Sequence, residues 1–72
     1  MKIYVDFNTM QTEVRERVFI NTMIHPGLAE ELTPGMPVNI FDECPEVKAV
    51  LEFDSADGTW YAVPDWSTRR DL

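Results

Sequence analysis

The pattern that most constrains this chain is a strict alternation of apolar and polar residues that runs into a tight turn. On one side of an extended chain lie Val47, Ala49, Leu51 and Phe53, and on the other lie Lys48, Val50 and Glu52. Such alternation is typical of a strand with one buried face. Residues 55–58 then offer a type I turn with Gly58 in the left-handed conformation, and residues 59–63 follow as a second strand. The sequence therefore predicts a β-hairpin over residues 47–63.

The register of this hairpin has two solutions. With a three-residue loop, Phe53 faces Tyr61 on the core side and Trp60 points outward. With a loop one residue longer, Phe53 pairs with Trp60 and Tyr61 points outward. We favour the shorter loop, because Gly58 suits its bulge position and larger apolar groups then face each other. In either register, one large aromatic side chain leaves the main face.

Upstream of the hairpin the sequence predicts three more strands, at residues 2–8, 14–21 and 37–42. The first two are separated by a short polar connection, so we expect them to form an antiparallel hairpin. Leu28 and Leu32 lie four residues apart after a proline suited to a first helical turn. They predict one short helix near residues 26–32, which Pro34 and Gly35 end.

These elements describe a mainly β chain, and the absence of repeats and linkers predicts a single small β domain over residues 1–72. Two segments, LTPGMPV at residues 32–38 and DGTWYAV at residues 57–63, resemble SH3-like small β-barrels. The resemblance implies a five-stranded small antiparallel barrel or a strongly curled sheet. SH3-like barrels mostly act as binding modules, although a fold does not determine a function.

Acidic residues are concentrated in the second half of the chain. The formal net charge is −7, and between residues 30 and 65 nine acids face one base, Lys48. Phosphate neutralisation needs clustered Lys and Arg, so direct binding to nucleic acid or to an anionic membrane is disfavoured. The charge instead fits a solvated face, a basic protein partner, or an acidic inhibitor that mimics nucleic acid in a basic groove of an enzyme.

No motif for cofactor, metal or nucleophile chemistry is recognisable. Cys44 is the only cysteine, so no intrachain disulfide can form, and we expect a reducing, cytoplasmic setting without a signal peptide or membrane span. The acids around Cys44 suppress the thiolate that a nucleophile requires. His25 precedes a proline, where a turn role is the ordinary explanation. We therefore expect no enzyme, no cofactor and no metal, although a small enzyme subunit stays open.

The remaining feature is the aromatic end of the chain, where Pro64 ends or edges its strand and leaves Trp66 on a loop or short helical turn. Two interpretations stay open: the tryptophans close the ends of a small barrel, or they form an interaction surface. The leading hypothesis is a non-catalytic interaction or regulatory module that binds a protein partner or a second copy. Its candidate binding residues are Trp60, Trp66, Phe41, Tyr4 and Asp65, the last also a possible cap.

Overall fold

In a computed structural model, which describes residues 1–13, 15–23, 27–43 and 45–71, the chain forms one curled sheet. Its elements are β1 (Lys2–Tyr4), a 3-10 turn (Phe7–Thr9), β2 (Val18–Phe19), α1 (Leu28–Glu31), β3 (Pro37–Phe41), β4 (Pro45–Asp54) and β5 (Thr59–Asp71). The strand order is β1-β3-β4-β5-β2, and the sheet curls through 208° as a half-barrel. The mainly β fold, the strongly curled five-stranded sheet and the single short helix are thus confirmed. Within the described ranges, no helix is long and apolar enough to cross a membrane.

Strands β4 and β5 form the hairpin that the alternation predicts, but in the register with the longer loop. Asp54 pairs with Thr59, and Phe53 pairs with Trp60. The Gly58 backbone, at a φ of 68°, closes the loop by donating its N–H to the Asp54 carbonyl at 2.8 Å. The preference for an outward Trp60 is therefore wrong. Its ring lies on the inner face with its centroid 5.0 Å from that of Phe53.

Contacts on the outer face explain why this register is the stable one. Tyr61 lies on that face yet is only 4% exposed. The guanidinium carbon of Arg17 lies 3.8 Å from the centroid of the Tyr61 ring, and the ring of Phe19 packs edge-on against it. The Tyr61 hydroxyl donates to the carboxylate of Asp57 at 3.0 Å. The longer loop therefore buries Tyr61 on the outer face and packs the half-buried Trp60 against the core on the inner face.

Strands β1 and β2 lie at opposite edges of the sheet, so the predicted hairpin between them is wrong. β1 pairs with β3 in parallel, with Ile3 opposite Ile40, and the sheet is not antiparallel throughout. The Asp6 carboxylate accepts the N–H of Asn8 at 2.9 Å and caps the 3-10 turn, which redirects the chain. The polar segment after β1 therefore crosses the open side of the half-barrel to β2 and does not reverse beside β1.

The core lies on the inner side of the sheet, where alternate residues of all five strands meet. Leu28 and Leu32 of the α1 region are buried against it, as their spacing predicts. The core consists of these two residues with Ile3, Val5, Val18, Ile20, Val38, Ile40, Val47, Ala49, Leu51 and Ala62. Phe7, Met36, Trp60 and Trp66 pack against its margins. Pro26, the expected start of the helix, lies outside the described residues.

Strand β5 runs through Pro64 and does not end there. The N–H of Ile20 donates to the carbonyl of Trp60, so the backbone groups of every second residue from Trp60 to Pro64 face the β2 side. Pairing between β2 and β5 reaches only as far as Val18 and Ala62. Pro64 therefore lies at an edge position, where its missing N–H removes no ladder bond.

Trp66 lies on a bulge of β5, and the predicted loop or helical turn at this point is wrong. Between residues 65 and 70, β5 advances five residues while β4 advances two. The Asp65 carboxylate caps the bulge by accepting the N–H and the hydroxyl of Ser67 at 3.1 and 2.6 Å. The Trp66 ring turns towards the core, with its centroid 5.6 Å from that of Phe7. Of the two interpretations of the tryptophans, this placement supports closure of the core.

The position of Trp60 predicts a role in stability. We expect Trp60→Ala to lower the free energy of unfolding by about 2–4 kcal/mol, because the substitution opens a gap beside Phe53 and the core. Val50→Ala is the control, since Val50 is exposed on the outer face, and its cost should stay within about 0.5 kcal/mol. Urea unfolding followed by circular dichroism measures both. Equal losses in the two variants would contradict the packing described for Trp60.

Candidate functional site

The structure separates the five predicted binding residues into two groups. Trp60 and Trp66 are half-buried against the core, and Asp65 caps the bulge beside Trp66. Tyr4 and Phe41 instead lie together on the outer face, with Tyr4 43% exposed. Their rings meet edge to face, with centroids 5.7 Å apart and planes at 74°. His25 and Cys44 lie outside the described residues.

The pairing of β1 with β3 brings Tyr4 and Phe41 together. They are direct partners in the parallel register, next to the pair formed by Ile3 and Ile40. Because side chains alternate across a strand, burial of the isoleucines on the inner face places both aromatic rings on the outer face. The aromatic pair is therefore a consequence of core packing on the opposite side of the sheet.

Three carboxylates border this aromatic pair. Asp6, Asp42 and Glu43 line a shallow hollow of about 360 Å³ together with Tyr4, Asn8 and Pro45. The Asp42 side chain is held in place because it accepts the N–H of Phe7 at 3.3 Å and that of Glu43 at 2.7 Å. We call the group formed by Tyr4, Phe41, Asp6, Asp42 and Glu43 the Tyr4 surface. It combines an aromatic face with fixed negative charge.

The negative charge acts directly on the Tyr4 phenol. The charge of Asp42 is the largest cause that raises the pKa of Tyr4 above its usual value, followed by partial burial and the charges of Asp6 and Glu43. A negative environment disfavours a second anion and favours a cation. The surface therefore presents a potential that suits a positively charged group.

The bases of the chain are engaged elsewhere. Among the described residues, all bases except Lys48 form ion pairs with acids outside the Tyr4 surface, namely Lys2 and Arg70 with Glu46, Arg15 and Arg17 with Glu52, Arg17 with Asp54, and Arg69 with Asp71. Asp6, Asp42 and Glu43 make no ion pair within the part of the chain that the structure describes. No described base therefore compensates the charge of the Tyr4 surface.

Glu46 is a residue whose importance the sequence did not reveal. It is one of the acids that lie close to Cys44 in the sequence, but it is only 5% exposed in β4. Its carboxylate accepts from Lys2 at 3.2 Å, from Asn39 at 3.2 Å and from Arg70 at 3.5 Å. These partners come from β1, β3 and β5, so one carboxylate joins four strands. The hydrogen bond from Lys2 is the largest cause that lowers the pKa of Glu46.

A second concavity lies beside Tyr4 on the open side of the half-barrel. This side cleft has a volume of about 230 Å³ and is lined by Tyr4, Val5, Asp6, Thr9, Phe19 and Asn21. Phe19 belongs to β2 and Val5 directly follows β1, so the cleft lies between the two sheet edges. Tyr4 and Asp6 line both concavities, which makes the side cleft continuous with the Tyr4 surface.

Neither the cleft nor the Tyr4 surface has the features of a metal centre. Across the described ranges, no three His, Cys, Asp or Glu side chains are grouped to hold a metal ion. Comparison of the chain with known protein families, with curated proteins and with solved structures finds no match. The resemblance to SH3-like barrels stays a prediction, and the function must be argued from the surface itself.

The Glu46 contacts predict a specific pH dependence of stability. Because the folded state lowers the pKa of Glu46, the ionised carboxylate adds to the free energy of unfolding above its ordinary pKa, near 4.5. This contribution is lost as the pH falls through the lowered pKa. We expect Glu46→Gln to be less stable than the parent chain at neutral pH, with the difference shrinking in strong acid. Urea midpoints across this range measure it. Glu31→Gln, at an exposed position on α1, is the control, and a difference independent of pH in the Glu46 variant would refute the prediction.

The charge around Tyr4 predicts a shift in its titration. We expect Asp42→Asn to move the pKa of Tyr4 down towards its ordinary value of 10.0, because the substitution removes the charge while its one remaining oxygen can still accept one of the two backbone N–H groups. NMR of ring-labelled tyrosine follows Tyr4 separately from Tyr61. Glu31→Gln again serves as the control. An unchanged Tyr4 titration in the Asp42 variant would show that this carboxylate does not act on the phenol.

Proposed function

We propose that the protein is a non-catalytic interaction module whose Tyr4 surface binds a basic segment of a protein partner. The observation that carries this proposal is the edge-to-face pair of the exposed Tyr4 and the half-buried Phe41, bordered by three carboxylates that have no ion-pair partners among the described residues. A setting in a reducing cytoplasm accompanies the proposal, on the ground that the chain has one cysteine.

Each half of the surface supplies a different part of recognition. An aromatic ring attracts a Lys or Arg side chain over its face and also packs against the aliphatic stem. The surrounding carboxylates steer a basic partner during encounter and disfavour acidic ones. This role belongs to Tyr4 and Phe41, since the contacts of Trp60 and Trp66 with the core engage much of their rings.

A titration with basic peptides tests the proposal. Pentalysine should shift the NMR signals of Tyr4, Phe41, Asp42 and Glu43, whereas pentaglutamate should not. We expect Tyr4→Leu to weaken pentalysine binding about threefold or more, because leucine retains an apolar side chain but removes the aromatic face. Asp42→Asn should also weaken it, and added salt should reduce the affinity.

Matched variants separate this site from general charge attraction. Phe53→Leu removes an aromatic ring of similar exposure at the hairpin end of the sheet, and Glu31→Gln removes a carboxylate on α1. Neither should change binding. If the shifts instead spread over all acidic residues and Tyr4→Leu has no effect, the acidic mimic of nucleic acid becomes the better interpretation. If the NMR signals are instead lost as the concentration of the protein rises in the absence of peptide, the protein associates with itself, and a second copy becomes the better interpretation of the partner.

A further inference from the structure

The outer edge of β1 carries backbone groups that no described residue pairs. The bonds from Asn39 N–H to the Met1 carbonyl and from Val5 N–H to the Phe41 carbonyl show that odd-numbered residues of this segment face β3. The N–H and C=O groups of Lys2 and Tyr4 therefore point away from β3, along the edge of the sheet. Within the described ranges, these groups form no backbone hydrogen bond. Such an edge is a template for an added strand.

The side cleft lies against the end of this edge and is mainly apolar. Val5 and Phe19 provide its apolar walls, and Tyr4 separates it from the acidic hollow. A strand added to β1 would alternate its side chains between the two sides of the sheet. One side chain would enter the cleft, and its neighbours would lie near Tyr4 and the carboxylates. The edge, the cleft and the Tyr4 surface thus form one continuous site.

From this juxtaposition we propose that the site binds an extended peptide in which Lys or Arg alternates with aliphatic residues, added as a strand beside β1. The inference rests on the proposed function and specifies its ligand. Backbone hydrogen bonds to Lys2 and Tyr4 supply affinity that does not depend on the side chains of the peptide, and the cleft selects the aliphatic side chain. The basic side chains lie over Tyr4 and next to Asp42 and Glu43.

Charge identifies a basic peptide, and not a second copy of this chain, as the occupant. A second copy would bring the same three acids, Asp6, Asp42 and Glu43, to this edge, and its own β1 base, Lys2, is already paired with Glu46. Like charges opposed across a strand pair are destabilising. A Lys- or Arg-bearing strand instead brings unpaired bases to the acids beside Tyr4, while Lys2 at the other end of β1 stays engaged with Glu46 at 3.2 Å.

N-methylated peptides test the proposal, since a strand uses the N–H groups of only every second residue. The probe is acetyl-Lys-Val-Lys-Val-Lys-amide, compared with acetyl-Lys-Lys-Lys-Val-Val-amide of equal charge. Two further versions of the alternating peptide carry N-methyl groups on the lysines only or on the valines only. We expect the alternating order to bind more tightly, and one N-methylated version to lose about tenfold or more while the other binds as before.

Variants of the protein locate the peptide. Phe19→Ala should weaken the alternating peptide about fivefold or more by removing a wall of the cleft, whereas Phe53→Ala, which removes a ring of almost equal exposure (42% against 41%), should not. Strand addition is wrong if both peptide orders bind equally, or if both N-methylated versions have equal effects. In either case the proposed function stays intact as long as Tyr4→Leu still weakens binding. If no basic peptide perturbs Tyr4, both proposals are wrong. Dimer formation that blocks the peptide would overturn the choice of occupant.

Discussion

The fold of this small chain depends on one constraint, which is that the apolar face of its sheet must be covered. The long hairpin of β4 and β5 buries alternate side chains on its inner side, and α1, with four residues, is too short to cover them alone. The sheet therefore covers itself by curling through 208°, which brings the side chains of β1 and β2 over those of the central strands. Trp60 packs near the turn of the hairpin and Trp66 towards its other end, where their rings complete the core.

Curling leaves the outer face convex, and charged side chains hold it together. Glu46 joins four strands through Lys2, Asn39 and Arg70, and Arg17 joins β2 to β4 through Glu52 and Asp54. The backbone N–H of Ala56 and the Arg17 side chain together lower the pKa of Asp54. Because these pairs engage most of the described bases, no described base pairs with the acids around Tyr4. The same chemistry that stabilises the sheet thus determines where its negative surface lies.

The sequence predicted the elements that depend on neighbouring residues. It did not predict the features that depend on contacts between residues far apart in the sequence. Alternation over residues 47–54 identified the hairpin, and the spacing of Leu28 and Leu32 identified the helix. The register was missed because it depends on Arg17, which is far away in sequence but covers Tyr61. The partner of β1 was missed because a parallel pair is joined by a long crossover, and no local signal specifies it. Tyr4 and Phe41 were recognised as candidates separately, but their contact follows only from that pairing.

The edge of β1, which no described residue pairs, would be a liability in most proteins, because an exposed edge with an apolar cleft invites association with any other strand. Natural sheets protect such edges with charge. In the proposed function, the acids beside this edge, Asp6, Asp42 and Glu43, have one sign, so they disfavour acidic strands and favour basic ones, while Lys2 is engaged by Glu46. Protection of the edge and the proposed recognition of a peptide then depend on the same residues. An edge without these carboxylates would lose both, so the proposed selectivity depends on the carboxylates more than on the aromatic rings.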